Sequence, residues 1–181
     1  MRWRRAGRRL VNAIRWRSMR VLGYFPTPVQ AAVVWLVAPK FLIGVAVVVL
    51  RPEEVFLVHH RYRPWYPWGL VTGFVEHGES LPCAALRELW QETGWQASEE
   101  SLTLIQTHFV SSRELEAVFA IAVPPEFPET IGPSDDGEIT HGEWYPINQL
   151  PDDFTPSQRS LIEKAAQDLP EVVKTVPINA D

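Results

Sequence analysis

Gly73-Phe74-Val75-Glu76-His77-Gly78-Glu79-Ser80-Leu81-Pro82-Cys83-Ala84-Ala85-Leu86-Arg87-Glu88-Leu89-Trp90-Gln91-Glu92-Thr93-Gly94-Trp95 is the most informative stretch of this 181-residue chain. It opens as a turn around His77-Gly78-Glu79, and Ser80 stands where a side-chain oxygen can cap a helix. Pro82 falls in the first helical turn, where a missing N–H costs little. Gly94 is placed to end the helix in the left-handed conformation. The spacing therefore predicts a helix from Ser80 to Thr93. Leu81, Ala85 and Leu89 share its core-facing side, while Arg87, Glu88, Gln91 and Glu92 gather at spacings of one, three and four. Glu88 and Glu92 lie one turn apart, and like charges so placed repel. A divalent cation would offset that repulsion. Carboxylate oxygens are the ligands Mg2+ prefers, and it fills the rest of its shell with water and substrate phosphates. Glu79, just ahead of the helix, can add a ligand or a base. The competing reading is a solvated helix face with incidental charges.

Working outward, Phe41 to Leu50 is dense in valine and reads as a buried strand. Arg51-Pro52-Glu53-Glu54 is a turn, and Val55 to His60 completes a hairpin. Residues 61–68 form a loop of aromatics, prolines and arginines, and Leu70 to Val75 is extended. Leu102 to His108 and Glu116 to Val123 read as strands. Residues 124–137 hold four prolines and read as loop. Glu143 to Ile147 is a short strand, and Ser157 is expected to cap a final helix ending near Asp168. The order of strands and helices predicts an α/β fold with a mixed sheet between helices. No internal repeat or low-complexity tract occurs.

Charge is distributed unevenly. The first 20 residues carry eight arginines and no acid, leaving nine basic against 22 acidic residues in the rest, a net of −13. An acidic body is no platform for nucleic acid. The arm, residues 1–20, reads as a basic amphipathic helix with Leu10 and Ile14 at helical spacing. It would pack on the domain or on a second subunit of a homodimer, or touch nucleic acid or an anionic membrane surface. The apolar run Val29 to Leu50 is split by Pro39-Lys40. It predicts a short helix over 29–37 and then the first strand, not a leader or an anchor. The division expected is a basic helical extension at 1–38, a catalytic domain at 39–170 and a loose tail at 171–181. A single cysteine forbids an intrachain disulfide and suits a reducing, cytoplasmic setting. Beside five scattered histidines it also argues against a zinc site. Cys83 itself reads as a packed small residue, not a nucleophile.

The 73–95 segment resembles the Nudix box. That pattern runs glycine, five residues, glutamate, seven residues, Arg-Glu, an apolar residue, any residue, Glu-Glu, any residue, glycine, an apolar residue. Gly73, Glu79, Arg87, Glu88, Leu89, Glu92, Gly94 and Trp95 match in register. The hairpin at 41–60 and Glu143-Trp144-Tyr145-Pro146 with Leu150-Pro151 resemble the family's flanks, so the likeness covers about 39–168. It implies a Nudix-like α/β/α sandwich and a Mg2+-dependent (or Mn2+-dependent) pyrophosphohydrolase acting on a small nucleotide. Carried over by position, Glu88 and Glu92 would bind metal and Arg87 would orient the glutamates. Glu79 would act as a ligand or through water. Gln91 would stand at a further metal position, and the backbone at Thr72 and Gly73 would offer a carbonyl ligand.

Two positions depart from the family pattern. Gln91 replaces one of the paired glutamates, and an amide oxygen brings no charge. Activity with fewer metals, slow activity, or a box kept for nucleotide binding alone are the three outcomes. Val71-Thr72-Gly73 stands where many members have Pro-Gly-Gly. The subfamily markers downstream of Trp95 for ADP-sugars and diadenosine polyphosphates are absent. Arg61, Arg63, Trp65 and Trp68 are the substrate-binding candidates, since arginine suits phosphate and aromatics suit a base. The alternative has the tryptophans packing the sheet edge. Glu114, Glu116 and Glu138 are candidates for an additional base.

Overall fold

The computed structural model describes residues 23–125, 127–134 and 137–169. The arginine-rich helix expected over residues 1–20 and the tail from 170 lie outside these. The chain divides into two compact units, residues 1–40 and 41–181. In the first, helix α1 spans Thr27–Val37, slightly longer than the sequence suggests, and buries none of its side chains. Lys40 Nζ lies 4.6 Å from the Trp35 ring centroid.

The second unit is built around β1 (Leu42–Arg51). Val45 to Val49 are buried to within 1%. A strand so apolar needs cover on both faces, and it has it. β1 pairs antiparallel with β2 (Glu54–His60) and with β4 (Val71–Phe74). It pairs parallel with β6 (Glu114–Ala122). β5 (Thr103–Ser111) adds to β6, and β8 (Ile139–Pro146) adds to β2, with β7 (Thr130–Ile131) beyond it. β3 (Trp68–Gly69) pairs with β2. The result is one mixed sheet between two helices.

The period-2 alternation of β1 sorts the core into two layers. Val45, Val47 and Val49 face helix α2 (Leu81–Thr93), meeting Ala84, Ala85 and Leu89. Ala46, Val48 and Leu50 face helix α3 (Arg159–Asp168), meeting Leu161, Ile162 and Ala165. Because Val45 is paired with Gly73 and Ala46 with Thr72, Gly73 looks toward α2 and Thr72 toward α3. Fold class and layers are thus those the sequence predicts.

Several local expectations need correction. β8 begins at Ile139, not Glu143, because pairing with β2 holds Thr140 to Gly142 extended. β7 lies within the expected 124–137 loop. Ser157 caps nothing: Pro156–Gln158 is a 3-10 turn, and α3 starts at Arg159 without a side-chain cap. Cys83 is exposed, its Sγ 3.1 Å from Glu99 Oε1, since Ala84 and Ala85 take the buried face.

Candidate active site

α2 is fixed at both ends by the residues that predict it. Ser80 Oγ accepts from the Cys83 N–H at 3.2 Å, and Gly94 closes the helix at φ 76°. Arg87 then organises the polar face. Its Nε and Nη2 donate to Glu79 Oε1 and Oε2 at 3.0 and 2.9 Å. Nη1 donates to Glu88 Oε1 at 2.8 Å and to Gln91 Oε1 at 3.1 Å, and Nη2 also donates to the Phe74 carbonyl at 2.8 Å. Bonding to Arg87 holds the Glu79 carboxyl below the ordinary carboxylate range. Burial outweighs the same arginine at Glu88 and pushes its carboxyl up.

Glu92 is 5% exposed, and its Oε2 is buried without a hydrogen-bond partner. Burial first, and the neighbouring Glu88 second, drive its carboxyl well above the ordinary range. Glu138 pushes the same way, and Arg63 opposes. A buried polar group left unpaired is costly.

Beside these residues opens a cavity of about 880 Å3. Gly73, Arg87, Glu88 and Gln91 form part of its wall, and Tyr62, Arg63, Thr72 and Phe74 another part. Glu138 from the β7–β8 connection and Glu114 and Glu116 from β6 also line it. Five lining glutamates, counting Glu76 and Glu88, face two arginines. Such a surface repels a phosphate unless cations accompany it. Glu92 lines a second cavity of about 420 Å3 with Gly94 and Ile131, and Gln91 borders both.

The NUDIX domain family pattern matches residues 40–165, a range that contains Glu88 and Glu92. The chain belongs to the Nudix hydrolase family. Among curated relatives it is similar to the NAD-capped RNA hydrolase NudC of Photorhabdus laumondii. The two are 24% identical over 144 residues, 73% of this chain and 47% of that protein. The chain thus spans about half the length of that relative. Among solved structures it resembles the Nudix domain of Shewanella oneidensis NrtR complexed with ADP ribose. That match has a TM-score of 0.59 at 19% identity and covers 83% of this chain and 97% of that one. It also resembles a bifunctional NMN adenylyltransferase/ADP ribose pyrophosphatase of Francisella tularensis complexed with AMP and a Mn ion. There the TM-score is 0.57 at 20% identity, with 77% of this chain and 46% of that chain covered.

The Nudix box residues fit a hard cation of small protein demand. Gly73 leaves room for the Glu88 carboxylate: a Cβ there would overlap it and force the side chain to move. Glu88 therefore rests against the strand backbone, one turn from the unpartnered Glu92 oxygen. Among the described residues no three His, Cys, Asp or Glu side chains are gathered as a metal-holding group. The donors left are two carboxylates, the Gln91 amide and backbone carbonyls, which suits Mg2+ with water and phosphate completing its shell.

The substrate-loop candidates separate. Arg63 lines the cavity, its Nη2 donating to Thr72 Oγ1 at 2.9 Å. Arg61, Trp65 and Trp68 are not in the lining. Arg61 bonds Glu138 through its backbone, the Arg61 N–H donating to the Glu138 carbonyl at 2.8 Å. Trp65 is 81% exposed, whereas Trp68 is a core residue packed edge-on against His59, His141 and Tyr145. A loop's composition does not say which aromatic turns inward. Tyr62, Phe74 and His108 also enter the lining, although no sequence pattern marks them as site residues. The alternation of β5 and β6 could have placed His108 opposite Glu116, its register partner.

Proposed function

We propose that this chain is a Mg2+-dependent (or Mn2+-dependent) pyrophosphohydrolase that cleaves the diphosphate linkage of a nucleoside diphosphate derivative. The observation that carries the reading is the Glu92 carboxylate, buried with one oxygen unpartnered beside Glu88. Glu88 and Glu92 would hold the cation, with Gln91 and the backbone of Thr72 or Gly73 as weaker donors. Glu138 adds negative charge near both carboxyls and pushes them the same way as burial does. The bound metal would neutralise phosphate charge, polarise phosphorus and lower the pKa of the attacking water. Arg87 holds the Glu79 carboxyl low and fixes the position of Glu88 through its hydrogen bond, and Arg63 would meet the phosphates. The substrate class is supported by the ligands and substrates of the relatives, NAD-capped RNA, ADP ribose and AMP, each an adenine nucleotide or carrier of one.

The deciding experiment is a panel of nucleoside diphosphate derivatives with Mg2+ or Mn2+. Turnover with any member supports the reading, and Glu92→Gln should remove it. Absence of turnover in both wild type and Gln91→Glu would sink the enzyme and leave a nucleotide-binding module, the alternative that Gln91 raises.

A further inference from the structure

Thr72 departs from the glycine common in the family, and the cavity gives its hydroxyl a task. Arg63 leaves the β2–β3 connection and crosses Gly69, where a Cβ would sit 2.8 Å from Arg63 Nη1 and 2.9 Å from Gln158 Oε1. A side chain there would push against both groups. Beyond it, Arg63 Nη2 donates to Thr72 Oγ1 at 2.9 Å and reaches Tyr62 Oη at 3.4 Å, with the guanidinium 5.5 Å from the Tyr62 ring centroid. His60, fully buried next to Gly69, stays neutral because burial drives its imidazole down to about 3, so it does not repel the guanidinium. The cavity's other arginine is committed elsewhere: Arg87 bonds Glu79, Glu88, Gln91 and the Phe74 carbonyl.

We propose that Thr72 is a positioning residue whose hydroxyl holds the Arg63 guanidinium in the cavity as a fixed cation for a diphosphate group. An arginine docked before substrate arrives loses less side-chain freedom on binding than one that must be recruited from solvent. Thr72 faces α3 while Gly73 faces α2, so the strand presents Arg63 and the metal carboxylates from its two sides. The inference rests on the reading that the cavity takes a diphosphate.

The test uses the full chain and inorganic pyrophosphate in excess Mg2+, titrated by calorimetry. Thr72→Val keeps a β-branched strand residue and should weaken pyrophosphate by about tenfold. Thr72→Ser, which restores the hydroxyl, should bind within about twofold of wild type. Arg63→Ala should lose at least as much as Thr72→Val, and the double variant should be no worse than Arg63→Ala alone. With a turned-over substrate, Thr72→Val should raise KM more than it lowers kcat. Unchanged pyrophosphate affinity in Thr72→Val, equal losses in Thr72→Ser, or strictly additive losses in the double variant would overturn the assignment. If the variants behave as stated but no nucleotide is turned over, the anchor stands and the hydrolase reading fails. If wild type turns over a nucleotide and Thr72→Val is silent, the hydrolase stands and the anchor fails.

Discussion

At the middle of α2, Arg87 meets Glu79 at 2.9 Å and Glu88 at 2.8 Å, whereas one turn past Glu88 the Glu92 carboxylate keeps an oxygen with no partner. Both ends lie on the same polar face, and the difference is what the protein itself supplies. At the first end the cation is part of the chain, and the carboxyl farthest from the helix is held low. At the second end the chain supplies carboxylates and burial, with Arg63 as the opposing charge. The compensated end is a frame, and the uncompensated end is where the proposed cation would sit. Ion pairs of the first kind are costly to break from one side. Burying a carboxylate of the second kind is costly in the metal-free protein, a cost that the proposed cation would offset.

Glu92→Gln disturbs this contrast most. Loss of a metal carboxylate should cut kcat/KM by roughly 10²–10³-fold, read from initial rates on whichever nucleotide is turned over. The same variant should melt higher than wild type in chelator, by about 2–4 °C for each kcal/mol of relieved desolvation, while Mg2+ raises the melting temperature of wild type alone. A lower melting temperature in chelator would mean that Glu92 is structural.

Arg87→Ala attacks the other end. It removes the guanidinium that pairs with Glu79 and Glu88, leaving Glu79 only the Glu76 N–H, and should cost about 2–3 kcal/mol of stability. Chemical denaturation would register this as a lower midpoint at unchanged slope. If Arg87→Ala loses activity with full stability, the arginine is more than a frame.

Gln91→Glu tests the boundary between the ends. It should tighten Mn2+ binding by about tenfold, measured by paramagnetic resonance of the free ion. Weaker binding would show that Arg87 captures the new carboxylate, as it already holds the Gln91 amide oxygen at 3.1 Å.

The smallest effect is in pH. The Glu92 carboxyl is raised in the fold, so its contribution to metal-free stability is present below about 4.5 and is lost as pH rises through its folded value. The Glu79 carboxyl is lowered, so its contribution is present above about 4.5 and is lost as pH falls through its folded value. The melting difference between wild type and Glu92→Gln should therefore widen with pH above about 4.5, and that between wild type and Glu79→Gln should close below it. Parallel curves would contradict the assignment of opposite electrostatics.

Much of α2 was legible because its signals are local. Ser80, Pro82 and Gly94 state where it begins and ends, and the box spacing states which face is chemical. The buried run of β1 and its hairpin were legible for the same reason. Trp68 was not, because its burial depends on His59, His141 and Tyr145 meeting it across the sheet. Nor was the start of β8, where Thr140, His141 and Gly142 gain strand structure from their β2 partner and not from their own propensity. Glu138 and Glu116 stood among several acids with nothing to rank them, since a cavity is assembled from segments far apart in the chain. Thr72 read as a loss of glycine, and only the position of Arg63 gives its hydroxyl a use.

β1 also sets a schedule for synthesis. Its parallel partner β6 pairs Leu50 with Ala122, 72 residues later. A ribosome adding roughly 5–20 residues per second takes about 4–14 s to cover that gap. During that interval Val45 to Leu50 has β2 and β4 along one edge at most, and the other long edge of this buried, valine-rich strand stands open. Nascent chains stalled between residues 60 and 120 should be the species that chaperones retain and that aggregate when chaperones are scarce.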